Sequence, residues 1–297
     1  MLLQKLAGAN LIHPPKWLIA NTQYLTIMGS AAYGVDGSSS DVDVYGFCIP
    51  PKELVFPHLA GEIPGFGRQI QRFEQWSEHH VRHPDREVEY DFAVYGIVKY
   101  FHLCMENNPN MLDSIFTPRR CVLHSTVIGE HVRANRRLFL HKGAWHKFKG
   151  YAYSQASKIR NKVNYANEKR AADIEKYGYS TKFAYHLVRL LNEVEQIMVE
   201  HDLDLERNRE QLKSIRRGEW TREQIEEYFA MKERSLEEVY AKSTLRHAPD
   251  EERIKQVLLE CLEAHYGSLS TAVARNPSLD ALIGDLRAVL DRYSPSA

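Results

Sequence analysis

The sequence predicts an α+β protein, in which a small mixed β-sheet with helices packed on it is followed by an all-α helical part. Short runs rich in β-branched and aromatic residues occupy the first third of the chain. From about residue 93 onward, apolar residues recur at helical spacing instead. The length of 297 residues is comfortable for two units, since domains commonly run to roughly 100 to 200 residues.

Three strands are predicted, at residues 24–28, 42–49 and 87–94. Residues 50–86 between the last two are broken by proline and glycine, and we expect loops there, inserted over a site. The main predicted helices cover 144–176, 181–201, a segment beginning near Thr221 with a capping box, and 250–265. The chain therefore divides into an αβ domain at 1–125 and a helical domain at 126–297.

The charges balance, with 39 basic and 39 acidic residues, so net charge supplies no long-range attraction to a polyanion. There is no apolar run of about 18 residues and no export signal, which predicts a cytoplasmic protein without a membrane partner. Cys48, Cys104, Cys121 and Cys261 are too scattered for a zinc site or a disulfide framework. The oligomeric state cannot be predicted from these features.

The most informative segment is a Gly29-Ser30 turn followed, ten residues later, by Asp41-Val42-Asp43. Side chains two apart on a strand share a face, so Asp41 and Asp43 present paired carboxylates. Two like charges held together need a cation, and hard oxygen ligands suit Mg²⁺ or Mn²⁺. A glycine at a strand end lets backbone amides approach a phosphate, to which Ser30 can also donate.

A third carboxylate is expected on a neighbouring strand, where Glu87, Glu89 and Asp91 alternate at strand period. We favour Asp91 as the third metal ligand and keep Glu89 as the alternative; a solvated strand face is the other interpretation of Glu87 and Glu89. A weaker hypothesis makes a metal group of nearby histidines, since His79 and His83 would align if they were helical.

These residues resemble the signature of the DNA polymerase β nucleotidyltransferase superfamily, and the resemblance extends to the predicted nucleotidyltransferases of an RNA repair pathway. It covers residues from about 24 to 265. The similar segments are 29–34, 40–46, 108–116, 178–190, 212–219 and 248–250. The chain departs from the family by the longer segment 50–86 and by Asp113, where glutamate is common.

The resemblance implies that 1–125 is a nucleotidyltransferase catalytic domain and that 126–297 closes one side of its nucleotide cleft. Lys182, His186 and Arg189 are four and three residues apart, which places them on one helix face. They are therefore expected to bind the triphosphate together with Gly29 and Ser30. The alternative is a solvated basic stripe, or a histidine buried in a domain interface.

The predicted enzyme moves a nucleoside monophosphate from a nucleoside triphosphate (NTP) to an acceptor hydroxyl and releases pyrophosphate. Asp41, Asp43 and Asp91 are the expected catalytic and metal-binding residues, with Mg²⁺ or Mn²⁺ as cofactor. An RNA end is the expected acceptor, as the resemblance implies. A basic helical run at residues 158–170 could receive an RNA backbone, although an exposed helix surface is the preferred interpretation of that run. A protein or small-molecule acceptor, or a non-catalytic nucleotide-binding protein, are the alternatives. The sequence does not identify the NTP.

Overall fold

The structure is a computed structural model that describes residues 1–35, 41–56, 71–83, 88–161 and 168–267. Five strands form one mixed sheet: β1 (Thr22–Ile27), β2 (Val42–Cys48), β3 (Gln75–Arg82), β4 (Glu89–Gly96) and β5 (Val122–Ser125). Their order across the sheet is β3-β4-β2-β1-β5. Strands β2 and β4 pair in parallel, whereas the other neighbours are antiparallel. The α+β class with a mixed sheet is therefore confirmed.

Helices precede, interrupt and follow the sheet. Those up to the last strand are α1 (Leu2–Gly8), α2 (Leu18–Asn21), α3 (Lys52–Val55), α4 (Ile97–Met105) and α5 (Pro109–Phe116). Those after it are α6 (Val127–Ala134), α7 (Gly143–Arg160), α8 (Glu168–Tyr177), α9 (Thr181–Glu200), α10 (Arg209–Arg216), α11 (Arg222–Lys242) and α12 (Glu251–Tyr266). Across the described ranges, none of these helices is both long and apolar enough to cross a bilayer.

Local sequence explains where several helices begin. The Asn108 side chain accepts bonds from the next turn, and Pro109 occupies the first helical position of α5. Thr221 and Gln224 form the predicted capping box at the start of α11. Asp250 caps α12 by accepting a bond from the Arg253 amide. Helix α9 ends at His201, which adopts the left-handed conformation typical of a C-terminal cap.

The two faces of the sheet pack against different parts of the chain. Val44 and Phe92 point to one face and are buried with Leu3 and Leu6 of α1. Phe47 points to the opposite face and joins a second cluster that continues through the helices as far as Leu262. Because this cluster crosses the expected boundary between residues 125 and 126, the division into two domains stays a prediction.

Strand β3 was not predicted, because 50–86 was interpreted as loops. Its residues are mostly polar and exposed, since it lies at the edge of the sheet and packs mainly through Trp76 and Val81. Residues 57–70 and 84–86 of that segment, and Glu87 directly after it, lie outside the described residues. The expectation that the segment covers a site therefore stays a prediction.

Candidate active site

The turn after β1 lies directly against Asp43. Residues Gly29–Ala31 form a short 3₁₀ helix, and Gly29 has a φ of +66°. The Met28 amide donates to the Asp43 carbonyl at 2.7 Å, which fixes the start of the turn beside β2. A Cβ atom added at Gly29 would lie 2.7 Å from Asp43 Oδ2. Both the backbone conformation and this close approach therefore require glycine.

Two carboxylates lie side by side on the parallel strands β2 and β4. Asp43 is opposite Asp91 in the register of this pair, so both side chains leave the same face of the sheet. Asp41 is exposed and precedes Asp43 by two residues, and its charge acts on Asp43. The residues that alternate with these acids, Val42 and Val44, contribute to the core on the opposite face. The alternation predicted for residues 42–44 is thus present, and the face that Asp41 shares with Asp43 stays a prediction.

Asp43 experiences an excess of negative charge. Burial raises the pKa of its carboxyl group above the usual value, and the neighbouring charge of Asp91 raises it further. Lys182 acts in the opposite direction, while Asp41 adds to the increase. A cation bound between these carboxylates would relieve that repulsion, because it favours their charged forms.

A bulge in the edge strand places two histidines beside the acids. The register between β3 and β4 shifts between Glu78 and Val81, and His80 adopts a left-handed φ of +58°. The His80 amide donates to Asp91 Oδ1 at 2.8 Å, and its ring bonds to Glu89. His79 Nδ1 lies 3.5 Å from the same Asp91 oxygen.

The two candidates for a third metal ligand, Asp91 and Glu89, have different neighbours in the sheet. Asp91 is opposite Asp43, whereas Glu89 is opposite Arg82, which also approaches it at 3.5 Å. The hypothesis that His79 and His83 align on a helix is wrong, because His79 belongs to a strand and His83 follows it directly. The sequence drew attention to His79 but could not place it, since β3 itself was not predicted.

The sequence analysis did not identify Tyr45, which follows Asp43 on the same face of β2. Burial raises the pKa of its hydroxyl group to about 12, and the hydroxyl of Tyr95 and the charge of Asp43 add to this shift. The hydroxyl therefore stays protonated at neutral pH beside the acidic pair. The alternation of Asp41, Asp43 and Tyr45 along the strand is the signal that could have identified it.

The residues fit a divalent cation by their chemistry and position. Among the described residues, no group of three or more His, Cys, Asp and Glu side chains is arranged to hold a metal ion by itself. Magnesium at nucleotide sites is usually bound by one or two carboxylates together with substrate phosphates. Asp43 and Asp91 supply such a carboxylate pair with hard oxygen donors, and the turn at Gly29 adjoins it.

Helix α9 brings one of its three predicted phosphate ligands to the acids. Lys182, in the first turn, is exposed, and its charge acts on Asp43. His186 is half-buried, with its ring 5.0 Å from that of Tyr185. Arg189 is only 7% exposed and its Nη1 donates to Asp113 Oδ2 at 2.6 Å. The three residues therefore do not form one open basic row, because Arg189 is buried against Asp113 and does not face the phosphate site.

The mixed sheet sets Asp43 and Asp91 beside the Gly29-Ser30 turn, which agrees with the resemblance to nucleotidyltransferases found in the sequence. The sequence profile of the RNA repair pathway DNA polymerase beta family matches residues 13–283, and the chain belongs to that family. It is thus a DNA polymerase β-like nucleotidyltransferase by family. No curated relative matches the sequence.

One solved structure with some similarity is a nucleotidyltransferase-like protein from Exiguobacterium sibiricum 255-15. It has 8% sequence identity to this chain, with 88% of this chain and 72% of the other covered, and the TM-score is 0.29. A score this low adds nothing to the assignment, which depends on the family match and the geometry of the site.

Proposed function

We propose that the protein is a metal-dependent enzyme that transfers a nucleoside monophosphate from an NTP to the hydroxyl of an RNA end. The observation that carries the proposal is the in-register pair of Asp43 and Asp91, with Asp43 in contact with Gly29. The family description, which refers to an RNA repair pathway, supports RNA as the acceptor. Mg²⁺ or Mn²⁺ is the proposed cofactor.

Asp41, Asp43 and Asp91 would hold the divalent ions, which when bound supply charge neutralisation for phosphoryl transfer. Gly29 and Ser30 would hold the terminal phosphates through backbone amides and the serine hydroxyl. Lys182 would approach the triphosphate from the helical side, since its charge already acts on Asp43. His186 is a second candidate on that side, because it remains partly exposed one turn further along α9.

In the proposed reaction the acceptor oxygen bonds to the α-phosphorus, and the bond between the α-phosphorus and its bridging oxygen to the β-phosphate breaks. Pyrophosphate leaves with the electron pair, and the hydroxyl proton passes to Asp91. Such a transfer needs alignment and charge stabilisation more than covalent help from the protein. The three aspartates, the Gly29-Ser30 turn and Lys182 would together supply this alignment and charge stabilisation.

The test is transfer of label from an α-labelled NTP to a panel of RNAs in the presence of Mg²⁺ or Mn²⁺. Asp43→Asn should reduce labelling by about 100-fold or more, as expected when a preorganised charge is removed. Asp202→Asn is the matched control, because Asp202 pairs with Arg137 beyond the opposite end of α9 from Lys182. Labelling that survives in the Asp43→Asn variant defeats the proposal.

The same assay distinguishes the other acceptors. Label that is lost on nuclease treatment and survives protease treatment identifies RNA, and the reverse result identifies a protein hydroxyl. Label found in neither polymer indicates a small-molecule acceptor. Magnesium-dependent NTP binding by calorimetry, without any transfer, would indicate a nucleotide-binding protein with no catalytic activity.

A further inference from the structure

A buried polar cluster lies behind the turn that begins at Gly29. It consists of Tyr33 from the turn, Asp113 from α5 and Arg189 from α9. Tyr33 is 2% exposed, Asp113 is fully buried and Arg189 is 7% exposed. Charged groups are rarely enclosed to this degree unless they are paired, so this cluster requires an explanation.

Three contacts join these residues. Arg189 Nη1 donates to Asp113 Oδ2 at 2.6 Å and also to the Tyr33 hydroxyl oxygen. The Tyr33 hydroxyl in turn donates to Asp113 Oδ2. The guanidinium carbon lies 4.7 Å from the centre of the Tyr33 ring, so Arg189 also covers the aromatic face. Tyr33 is therefore held through both its hydroxyl and its ring.

The cluster connects the two parts of the proposed phosphate site. Tyr33 follows Gly29 and Ser30 within one short turn, in which the Val35 amide donates to the Ser30 carbonyl at 2.9 Å. Arg189 lies seven residues after Lys182 on α9, which is about 10 Å along a helix axis. A rigid connection between Tyr33 and Arg189 therefore fixes the distance between the turn and the Lys182 end of α9.

Stability alone does not explain this arrangement. Buried ion pairs often contribute no more to stability than apolar side chains of similar size, because both charges lose their hydration. Among the described atoms, several buried polar atoms around the cluster have no hydrogen-bond partner, including Asp113 Oδ1, Arg189 Nε and both carboxylate oxygens of Glu193. Directional contacts of this kind instead favour one defined geometry over others.

We propose that Tyr33, Asp113 and Arg189 are positioning residues, which hold the Gly29-Ser30 turn and helix α9 in the relative position needed to bind the NTP phosphates. The proposal rests on the nucleotidyltransfer function proposed above. Arg120 supports the same turn from another side, since its Nη2 donates to the Ala31 carbonyl at 2.8 Å. The cluster is buried and acts through the turn.

The test compares two tyrosine substitutions in the full-length protein. Tyr33→Phe removes only the hydroxyl that bonds to Asp113 and Arg189. Tyr185→Phe is the matched control, because its ring packs edge-on 6.1 Å from that of Tyr33 and its buried hydroxyl has no hydrogen-bond partner among the described residues. Both changes have the same size, and only the first interrupts the cluster.

The first readout is steady-state kinetics with Mg²⁺ and the NTP. Tyr33→Phe should raise the KM for the NTP about tenfold, because the hydroxyl's hydrogen bonds to Asp113 and Arg189 are lost and a hydrogen bond to a charged group contributes a free energy of that order. Tyr185→Phe should leave the KM unchanged. A loss of folded protein lowers the rate without changing the KM, so a purely structural role would not reproduce this result.

The second readout is amide hydrogen exchange, which needs no activity. Exchange at the three amides that donate within the turn should be about tenfold faster in Tyr33→Phe; they belong to Ala32, Gly34 and Val35. The Met28 amide, bonded to β2, should be unaffected and serves as the internal reference. If Tyr33→Phe does not fold, Arg189→Lys replaces it, since lysine keeps the charge and loses the forked donor.

The two proposals fail in different ways. If the unmodified protein neither binds nor transfers a nucleotide, the proposed function fails, and the exchange experiment alone decides the role of the cluster. If Tyr33→Phe matches Tyr185→Phe in both KM and exchange, the positioning proposal is overturned. Faster exchange with an unchanged KM also overturns it, because the cluster would then order the turn without affecting the nucleotide.

Discussion

Replacement of Gly29 by alanine should separate the geometry of the site from the stability of the fold. Gly29 has a φ of +66°, and an L-residue in that region costs about 1–2 kcal/mol. The added Cβ would also lie 2.7 Å from Asp43 Oδ2, whereas ordinary contacts begin near 3.4 Å. The Asp43 oxygen therefore has to move by about 0.7 Å.

That movement affects activity more than stability. The Asp43 carboxylate is the end of a flexible side chain, so it can rotate away at little cost in folding free energy. A misplacement of about 1 Å in an active site can lower a rate by about 100-fold, and we expect a 10- to 100-fold lower kcat/KM for Gly29→Ala. The free energy of unfolding, measured with urea, should fall by only about 1–2 kcal/mol.

Gly34→Ala is the control for backbone strain. Gly34 lies in the same turn with a φ of +64°, but its added Cβ would first meet Glu206 Oε1 at 3.3 Å rather than Asp43. It should lose a similar free energy of unfolding and transfer label at a rate close to that of the unmodified protein. Equal losses of rate in the two variants would refute the explanation based on Asp43.

Three further outcomes are expected. Asp91→Asn should lower the transfer rate by about 100-fold or more and Glu89→Gln by much less, and the opposite order would make Glu89 the third ligand. Lys182→Met should raise the KM for the NTP with a smaller change in kcat, as steady-state kinetics would show, because a charge facing the phosphates is lost. Burial raises the pKa of Glu193 to about 7, because the folded protein favours the protonated carboxyl group. The stability that comes from this protonation is fully present below the pKa that Glu193 has in the unfolded chain, and it is lost as the pH rises through about 7. Thermal unfolding of Glu193→Gln should therefore be less pH-dependent between pH 5 and 8, by about 1–3 kcal/mol, and an unchanged pH dependence would contradict the assignment.

The features that could be predicted from the sequence are those set by local periodicity. Alternation along residues 41–44 fixed which side chains share a face, and the structure places Asp43 and Val44 on opposite faces accordingly. The capping box at Thr221 and the start of α9 at Thr181 were likewise local signals. Such features need no knowledge of the neighbouring elements.

The features that escaped prediction depend on contacts between distant parts of the chain. Strand β3 is polar and pairs along one edge only, so its pattern resembles a loop until β4 is placed beside it. The spacing of Lys182, His186 and Arg189 correctly put them on one helix. Spacing cannot show, however, that Arg189 is buried and pairs with Asp113. That contact joins residues 76 positions apart, and only the packing of α5 against α9 and the turn reveals it.

The most direct test of the paired carboxylates is a crystal structure with Mn²⁺ and an unreactive NTP analogue, in which anomalous scattering locates the metal. We expect manganese bonded to carboxylate oxygens of Asp43 and Asp91, at about 2.1 Å, with the terminal phosphates against Gly29 and Ser30. Manganese bound elsewhere, or a nucleotide that leaves Asp43 and Asp91 without a metal, would contradict the proposed catalytic site.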